Sequence, residues 1–339
     1  MAELRRISAR VGSDRFLVQA AGGNTSLKDD GVMWIKASGT WLMEAERRDI
    51  FVPVALDPLL EALTRDDPAC ESCVDFLRRD LNASGLRPSI ETTVHAIMPQ
   101  RVVVHVHCVE TIAWAVQADA ETRLAEKLKD FRYAFIPYRR PGLPLSRAIA
   151  ERLKPDTNVL ILGNHGLVVA GETVDEAEAL LARVVAALKR PARKPMAGDM
   201  DKLKVVSEGS SFAPVSESFM HSLATDAASL AHIRKGSLYP DHVVFLGAGV
   251  GIVEDGKTPE DAVARIANEG RPPPRLVLVP GAGALLPRDA TPAALAMTGC
   301  LADVALRLAA NDPVTPITRD DELALVNWDA EKYRQTLKT

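Results

Sequence analysis

Two histidines one residue apart, His105 and His107, end the run Val102-Val103-Val104-His105-Val106-His107. The run is β-branched and mostly apolar, so it reads as a strand. Side chains alternate faces along a strand, which puts both imidazoles on one side. Two imidazoles held together make two-thirds of a three-histidine site for a divalent metal. A third, His165, lies in Gly163-Asn164-His165-Gly166, just after the apolar run Val159-Leu160-Ile161-Leu162. Glu91 precedes the histidine pair and can serve as a base facing a metal. Each piece alone also fits a plain structural role. A glycine-bracketed turn, for example, often needs no function.

Other small polar groups sit where loops are expected. Gln19 to Lys28 contains Gly22-Gly23-Asn24-Thr25-Ser26-Leu27-Lys28, and Ala37-Ser38-Gly39-Thr40 follows the strand Gly31 to Lys36. Loops of this kind gather backbone N–H groups and hydroxyls that can hold an anion, and Lys28 can add charge. The plain alternative for the first loop is a turn into a hairpin. Glu91 to Met98 reads as a helix, so Glu91 and His95 share a face. His95 then either orients Glu91 or is a packed helix histidine.

The elements that must position these groups alternate. Residues 3–18 predict a helix with a lead-in, and 41–87 mainly helix, including Asp57 to Leu63 and Ser72 to Leu81. Helices are expected at 110–116, 121–130, 144–153 and 175–188, with strands at 135–138, 159–162 and 167–170. Arg190 to Gly198 and Ser207 to Ser211 break the pattern as a linker. A second α/β unit follows: helix 216–234, strands 242–246, 251–253 and 275–279, and helices 258–267 and 292–309. The expected domains are therefore 1–195, catalytic, and 212–339, for packing or assembly. The turns Gly247-Ala248-Gly249-Val250-Gly251 and Gly281-Ala282-Gly283 lack the third glycine of a dinucleotide fingerprint. Alternation of strands and helices implies an α/β layered fold.

Composition narrows the function. Of 339 residues, 47% are hydrophobic and 25% charged, as in ordinary globular proteins, and the net charge is −4. No basic footprint suggests nucleic acid. No apolar run approaches the roughly 20 residues that span a bilayer, and the first residues lack a signal-peptide core. A cytoplasmic enzyme is the expectation. Four cysteines are too few for a disulfide framework. Cys70-Glu71-Ser72-Cys73 has no second pair to complete a metal site and reads as structural.

In order, Gly22 to Lys28, Ala37 to Thr40, Pro88-Ser89-Ile90-Glu91, His105-Val106-His107 and Asn164-His165-Gly166 resemble the class II aldolase/adducin family. The resemblance covers about residues 1–190. The whole chain, through Val326 to Gln335, looks like the aldolase half of fused rhamnulose-1-phosphate aldolase/alcohol dehydrogenase proteins. Because it stops at Thr339, a free-standing lyase is expected. The resemblance implies a three-layer α/β/α fold with a mostly antiparallel central sheet, plus the smaller C-terminal unit. It implies a divalent metal, Zn²⁺ first and Mn²⁺ as an alternative, on His105, His107 and His165. It makes Glu91 the catalytic acid–base and Gly23, Asn24, Ser38, Gly39 and Ser89 the binders of the substrate's anionic end. Where some family aldolases have two serines before the glutamate, this chain has Ser89 and then Ile90. The family's tyrosine proton donor has only Tyr133 and Tyr138 as candidates. Family sites often take groups from a neighbouring subunit, so a homo-oligomer is expected.

The implied chemistry is reversible retro-aldol cleavage of a ketose phosphate or related sugar through a metal-stabilised enediolate. The small-molecule partner is a sugar or sugar phosphate. The same site suits decarboxylation of a sugar acid or epimerisation of a pentulose phosphate. An adducin-like binding module without catalysis is the alternative of another class.

Overall fold

A computed structural model describes residues 1–327. Most of the ending 326–335, used above for the resemblance, lies outside the described residues. The described chain divides into two compact units. The first comprises residues 1–111 and 121–189; the second comprises 112–120 and the residues from 190 onward.

The first unit is built on a seven-stranded sheet. In chain order its strands are β1 (Asn24–Asp29), β2 (Val32–Lys36), β3 (Phe51–Ala55), β4 (Val102–Val106), β5 (Tyr133–Ile136), β6 (Val159–Leu162) and β7 (Gly166–Gly171). Their spatial order is β3-β2-β1-β4-β7-β6-β5. Every pair is antiparallel except β5 with β6. This is the mostly antiparallel central sheet that the family resemblance implied.

Local chemistry explains the strand ends. β1 and β2 form a hairpin in which Asp29 faces Val32. Its two turn residues, Asp30 and Gly31, both have positive φ (49° and 71°), the Asp-Gly signature of a tight hairpin. The expected loop over 19–28 therefore ends at Gly23, and Asn24 to Lys28 are strand. The sequence reading also missed β3, placing 41–87 mainly in helix. Pro53 in its middle is compatible with a strand only because β3 is the sheet's edge. The helix expected over 72–81 is replaced by short 3₁₀ turns, Pro68–Glu71 and Val74–Phe76, split by Cys73 at φ 53°.

Helices cover both faces. α1 (Ala2–Gly12) lies against β1, with Ser8 Oγ 2.6 Å from Thr25 Oγ1. α2 (Leu56–Thr64) and α3 (Thr92–Ile97) lie on the opposite face, where Ser26 meets His95. α4 (Val109–Ala115) and α5 (Ala120–Lys127) follow β4, and α6 (Leu143–Arg152) packs beside α3. α7 (Val174–Leu188) joins α1 on its side. Successive strand residues alternate between the two layers. One layer's core gathers Val94, Met98, Val103, Leu145, Ile149 and Leu160.

In the second unit a four-stranded sheet runs β8 (Phe212–Pro214), β11 (Gly283–Pro287), β10 (Val277–Val279) and β9 (Gly251–Ile252). Three sequence expectations fail here. Residues 242–246 are not a strand but part of a helix, Pro240–Leu246: Pro240 opens it and Gly247, at φ 78°, ends it. The linker contains the helix Met200–Val206, capped by Asp199. The helix expected over 216–234 is broken: a 3₁₀ turn, Ser218–His221, leads into a short helix, Ser222–Thr225, and Asp226 caps a second one, Ala227–Ile233.

Leu160 is fully buried in the first unit's core. Leu160→Ala should destabilise the protein by about 2–5 kcal/mol. Urea unfolding checks this: the midpoint should fall while the slope stays constant.

Candidate active site

Register places the histidines. His105 pairs with Val168 of β7 on one side and with Asn24 of β1 on the other. Directly opposed residues project to the same face, so Asn24 and His105 stand together on the α3 side. His107 lies one residue past β4. The β6–β7 hairpin swings His165 in beside them. Its turn is closed by the His165 N–H to Leu162 O (3.1 Å), with Asn164 at φ 51°. Gly166 is obligatory there: a Cβ on it would sit 2.5 Å from the Val106 carbonyl oxygen. Gly23 is similarly constrained, at φ 64° with His105 O only 2.9 Å from where a Cβ would be.

The three imidazoles form a nearly equilateral triangle, with centroids 5.0, 5.0 and 5.1 Å apart. His107 Nε2 is 3.2 Å from His105 Nε2. His105 Nδ1 lies 3.0 Å from Leu167 O. With Nδ1 directed at that carbonyl, Nε2 points inward, the usual orientation of a metal-ligating histidine. Glu91 caps the start of α3 and is 5% exposed. Its Oε2 is 3.3 Å from His105 Nε2, and its Oε1 is 3.3 Å from His165 Nε2. Ligand atoms of Glu91, His105, His107 and His165 all fall within 4.8 Å of one another. Three nitrogen donors and a carboxylate oxygen, buried together, can hold a divalent cation.

Electrostatics agree with that geometry. Burial alone would raise the Glu91 carboxyl, but the imidazoles of His105 and His165 outweigh it and hold the group well below the usual carboxylate range. Asn24 Nδ2 donates to Glu91 Oε2 at 2.7 Å and fixes the carboxylate plane. Burial drives the imidazole of His95 down to about 3, so it is neutral. Its Nδ1 is 2.7 Å from Ser26 Oγ; it is the packed helix histidine of the two readings.

Gly23, Asn24, Ser38, Gly39 and Ser89 line one pocket together with Ile90, Glu91 and His107. Two expectations need correction. Lys28 does not face this pocket: its ammonium donates to Met98 O and Gln100 O. The lysine that does line it is Lys36, 1% exposed, which the sequence reading passed over. Its one signal was a charge closing an otherwise apolar strand. Neither Tyr133 nor Tyr138 lines the pocket. Cys70 and Cys73 are buried in the core, Cys73 Sγ lying 3.2 Å from Cys70 O, in keeping with a structural pair.

The family described as Class II Aldolase and Adducin N-terminal domain matches residues 2–190. The chain belongs to the class II aldolase/adducin family. A curated relative, "Uncharacterized oxidoreductase YuxG" of Bacillus subtilis (strain 168), is 36% identical over 183 residues. That match covers 50% of this chain and only 26% of the relative. Solved structures similar to the chain include the N-terminal class II aldolase domain of a conserved protein from Thermoplasma acidophilum. It shows 28% identity and a TM-score of 0.48 over 55% of this chain and 90% of that one. L-fuculose-1-phosphate aldolase from Thermus thermophilus shows 18% identity and a TM-score of 0.37, over 55% and 89%. No helix among the described residues is long and apolar enough to cross a membrane.

Both the metal cluster and the buried lysine can be tested directly. Protein supplied with Zn²⁺ or Mn²⁺ should retain about one ion per chain, and His107→Ala should lose most of it; elemental analysis after dialysis decides. The second test concerns Lys28, whose buried ammonium is lowered from 10.5 to about 8, chiefly by desolvation. Between those values the folded chain has released a proton that the unfolded chain still binds, so stability rises with pH. Chemical unfolding at pH 8 and pH 10 should show wild type gaining on Lys28→Met across that window.

Proposed function

We propose that this chain is a metal-dependent lyase that reversibly cleaves a ketose phosphate, or a related sugar, by a retro-aldol reaction. The reading is supported above all by one convergence: Glu91 and His107 line one pocket with a rim of small polar groups, and the same two residues share a ligand cluster with His105 and His165. In such a cleavage a hydroxyl loses its proton as the neighbouring C–C bond breaks and an aldehyde leaves. The bond's electrons then delocalise onto the carbonyl oxygen of the other fragment. His105, His107 and His165 would hold the divalent cation, which when bound supplies Lewis acidity to that oxygen.

Glu91 is the proposed proton carrier. Its carboxylate is ionised, buried and clamped by Asn24, so it is placed to take a proton and return it without being diluted into water. Gly23, Ser38, Gly39 and Ser89 would receive the remote end of the substrate. Fixing that end holds the reacting bond in place relative to Glu91.

Glu91→Gln preserves shape and should keep the cation while lowering turnover by about 10²–10⁴-fold. Turnover within a few-fold of wild type would remove Glu91 from this role. The substrate screen uses ketose phosphates, free ketoses and keto acids with Zn²⁺ or Mn²⁺ added. An aldehyde product supports the lyase; carbon dioxide would make the enzyme a decarboxylase, an inverted ketose phosphate an epimerase. Cation uptake with no turnover on the panel would favour a binding module.

A further inference from the structure

We propose that Ser26 and His95 are positioning residues for Glu91: their hydrogen bond fixes where α3 sits along β1, and so where α3 delivers the carboxylate. The part of this inference that concerns turnover rests on the function proposed above. β1 lies between β2 and β4, inside the sheet, where apolar side chains are the rule. Toward α3 it instead carries Asn24, Ser26 and Lys28, all buried. Each of them reaches α3 or its end. Asn24 Nδ2 donates to Glu91 Oε2 at 2.7 Å, Ser26 Oγ lies 2.7 Å from His95 Nδ1, and the Lys28 ammonium donates to Met98 O. The contacts follow one another in the same order along strand and helix. Their spacing matches too: two strand residues advance about 6.6 Å and four helical residues about 6 Å.

The middle contact has no other task in the fold. His95 is fully buried, and its Nε2 has no partner among the described residues. A buried polar atom left unsatisfied is destabilising, so packing alone favours an apolar residue at this place. What the imidazole adds is a directed bond at a fixed height on β1. His95 is thus a packed histidine whose packing sets a position. Glu91 lies one helical turn before it, with the His95 N–H 3.3 Å from Glu91 O. A shift of His95 along β1 therefore carries the glutamate with it. Asn24 then holds a carboxylate that Ser26 and His95 have brought within reach of His105 and His165.

The competing explanation is that the bond only stabilises the fold. Zn²⁺ is the probe, and its affinity, measured by competition with a chelator, is the readout. Ser26→Ala should weaken Zn²⁺ binding about three- to tenfold, the size of one hydrogen bond, because Glu91 drifts from the histidines. In a Glu91→Gln background the same substitution should change affinity by less than about twofold, since the group it acts through is gone. Unchanged affinity on Ser26→Ala, or a loss of equal size in both backgrounds, overturns the inference. His95→Leu should behave as Ser26→Ala does. His95→Asn, whose amide can stand in for Nδ1, should recover most of the wild-type affinity; an Asn variant as weak as the Leu one also overturns the inference. If His95→Leu fails to fold, the Ser26 comparison still decides. With substrate, Ser26→Ala should lower kcat about ten- to hundredfold and leave KM within about twofold, as for a misplaced reacting group; a kcat within a few-fold of wild type overturns the inference. Zn²⁺ affinity requires no turnover. A protein that shows the coupling and cleaves no ketose would refute the lyase and leave this inference standing, and one that cleaves ketose without the coupling would do the reverse.

Discussion

A carboxylate withdrawn from water must be compensated by nearby positive or hydrogen-bonding groups, or it will take up a proton. Glu91 meets that constraint through His105, His165 and Asn24 at once. No two of these come from the same element. His105 is on β4, Asn24 on β1, His165 at the β6–β7 turn, and Glu91 at the head of α3. The cluster therefore exists only when four separate segments arrive together, and the sheet is what brings them. A one-residue slip of β4 against β1 or β7 would send His105 to the opposite face, stranding the carboxylate.

That dependence explains why the glycines matter where they do. Gly166 lets β7 begin so close to β4 that no side chain fits between them, and Gly23 lets the loop before β1 touch the His105 carbonyl. Both contacts are to backbone oxygen, which cannot move aside as a flexible side chain can. The histidine cage thus has walls of main chain on two sides. A site held in this way keeps its shape in the absence of anything bound to it.

The parts of the molecule legible in the sequence were those governed by local rules. Strand alternation gave the shared face of His105 and His107, whereas the glycine-bracketed turn made His165 only a candidate, and the family resemblance joined it to the pair. The long amphipathic helix Val174–Leu188 showed its period plainly. What sequence missed depended on partners far along the chain. Phe51 to Ala55 contains a proline, and only its place at the sheet edge makes it a strand. His242 to Leu246 is β-branched and apolar, yet Pro240 and Gly247 bracket it as a helix. Lys28 and Lys36 are both buried lysines on adjacent strands. Which of them reaches the pocket depends on carbonyls at Met98 and Gln100 for one and at Ala21 and Gly23 for the other. No local pattern encodes that choice.

Asn24 shows how one residue can change meaning once the register is known. Its place in a Gly-Gly-Asn-Thr-Ser run suggests a donor for a bound anion, and it does line the pocket. Its amide nitrogen, however, is directed at Glu91 Oε2. It is directed there because β1 pairs Asn24 with His105, and Glu91 contacts that same histidine. Its side chain therefore serves the carboxylate before any ligand arrives. On the proposed reading the pocket then has two ends with separate tasks. The histidine end, with Asn24 and Glu91, handles the proton and the bond that breaks. The loop end, with Gly23, Ser38, Gly39 and Ser89, receives the remote end of the substrate. Separating the two is physically useful, because an anion drawn to the histidines would compete for the position where the bond must break.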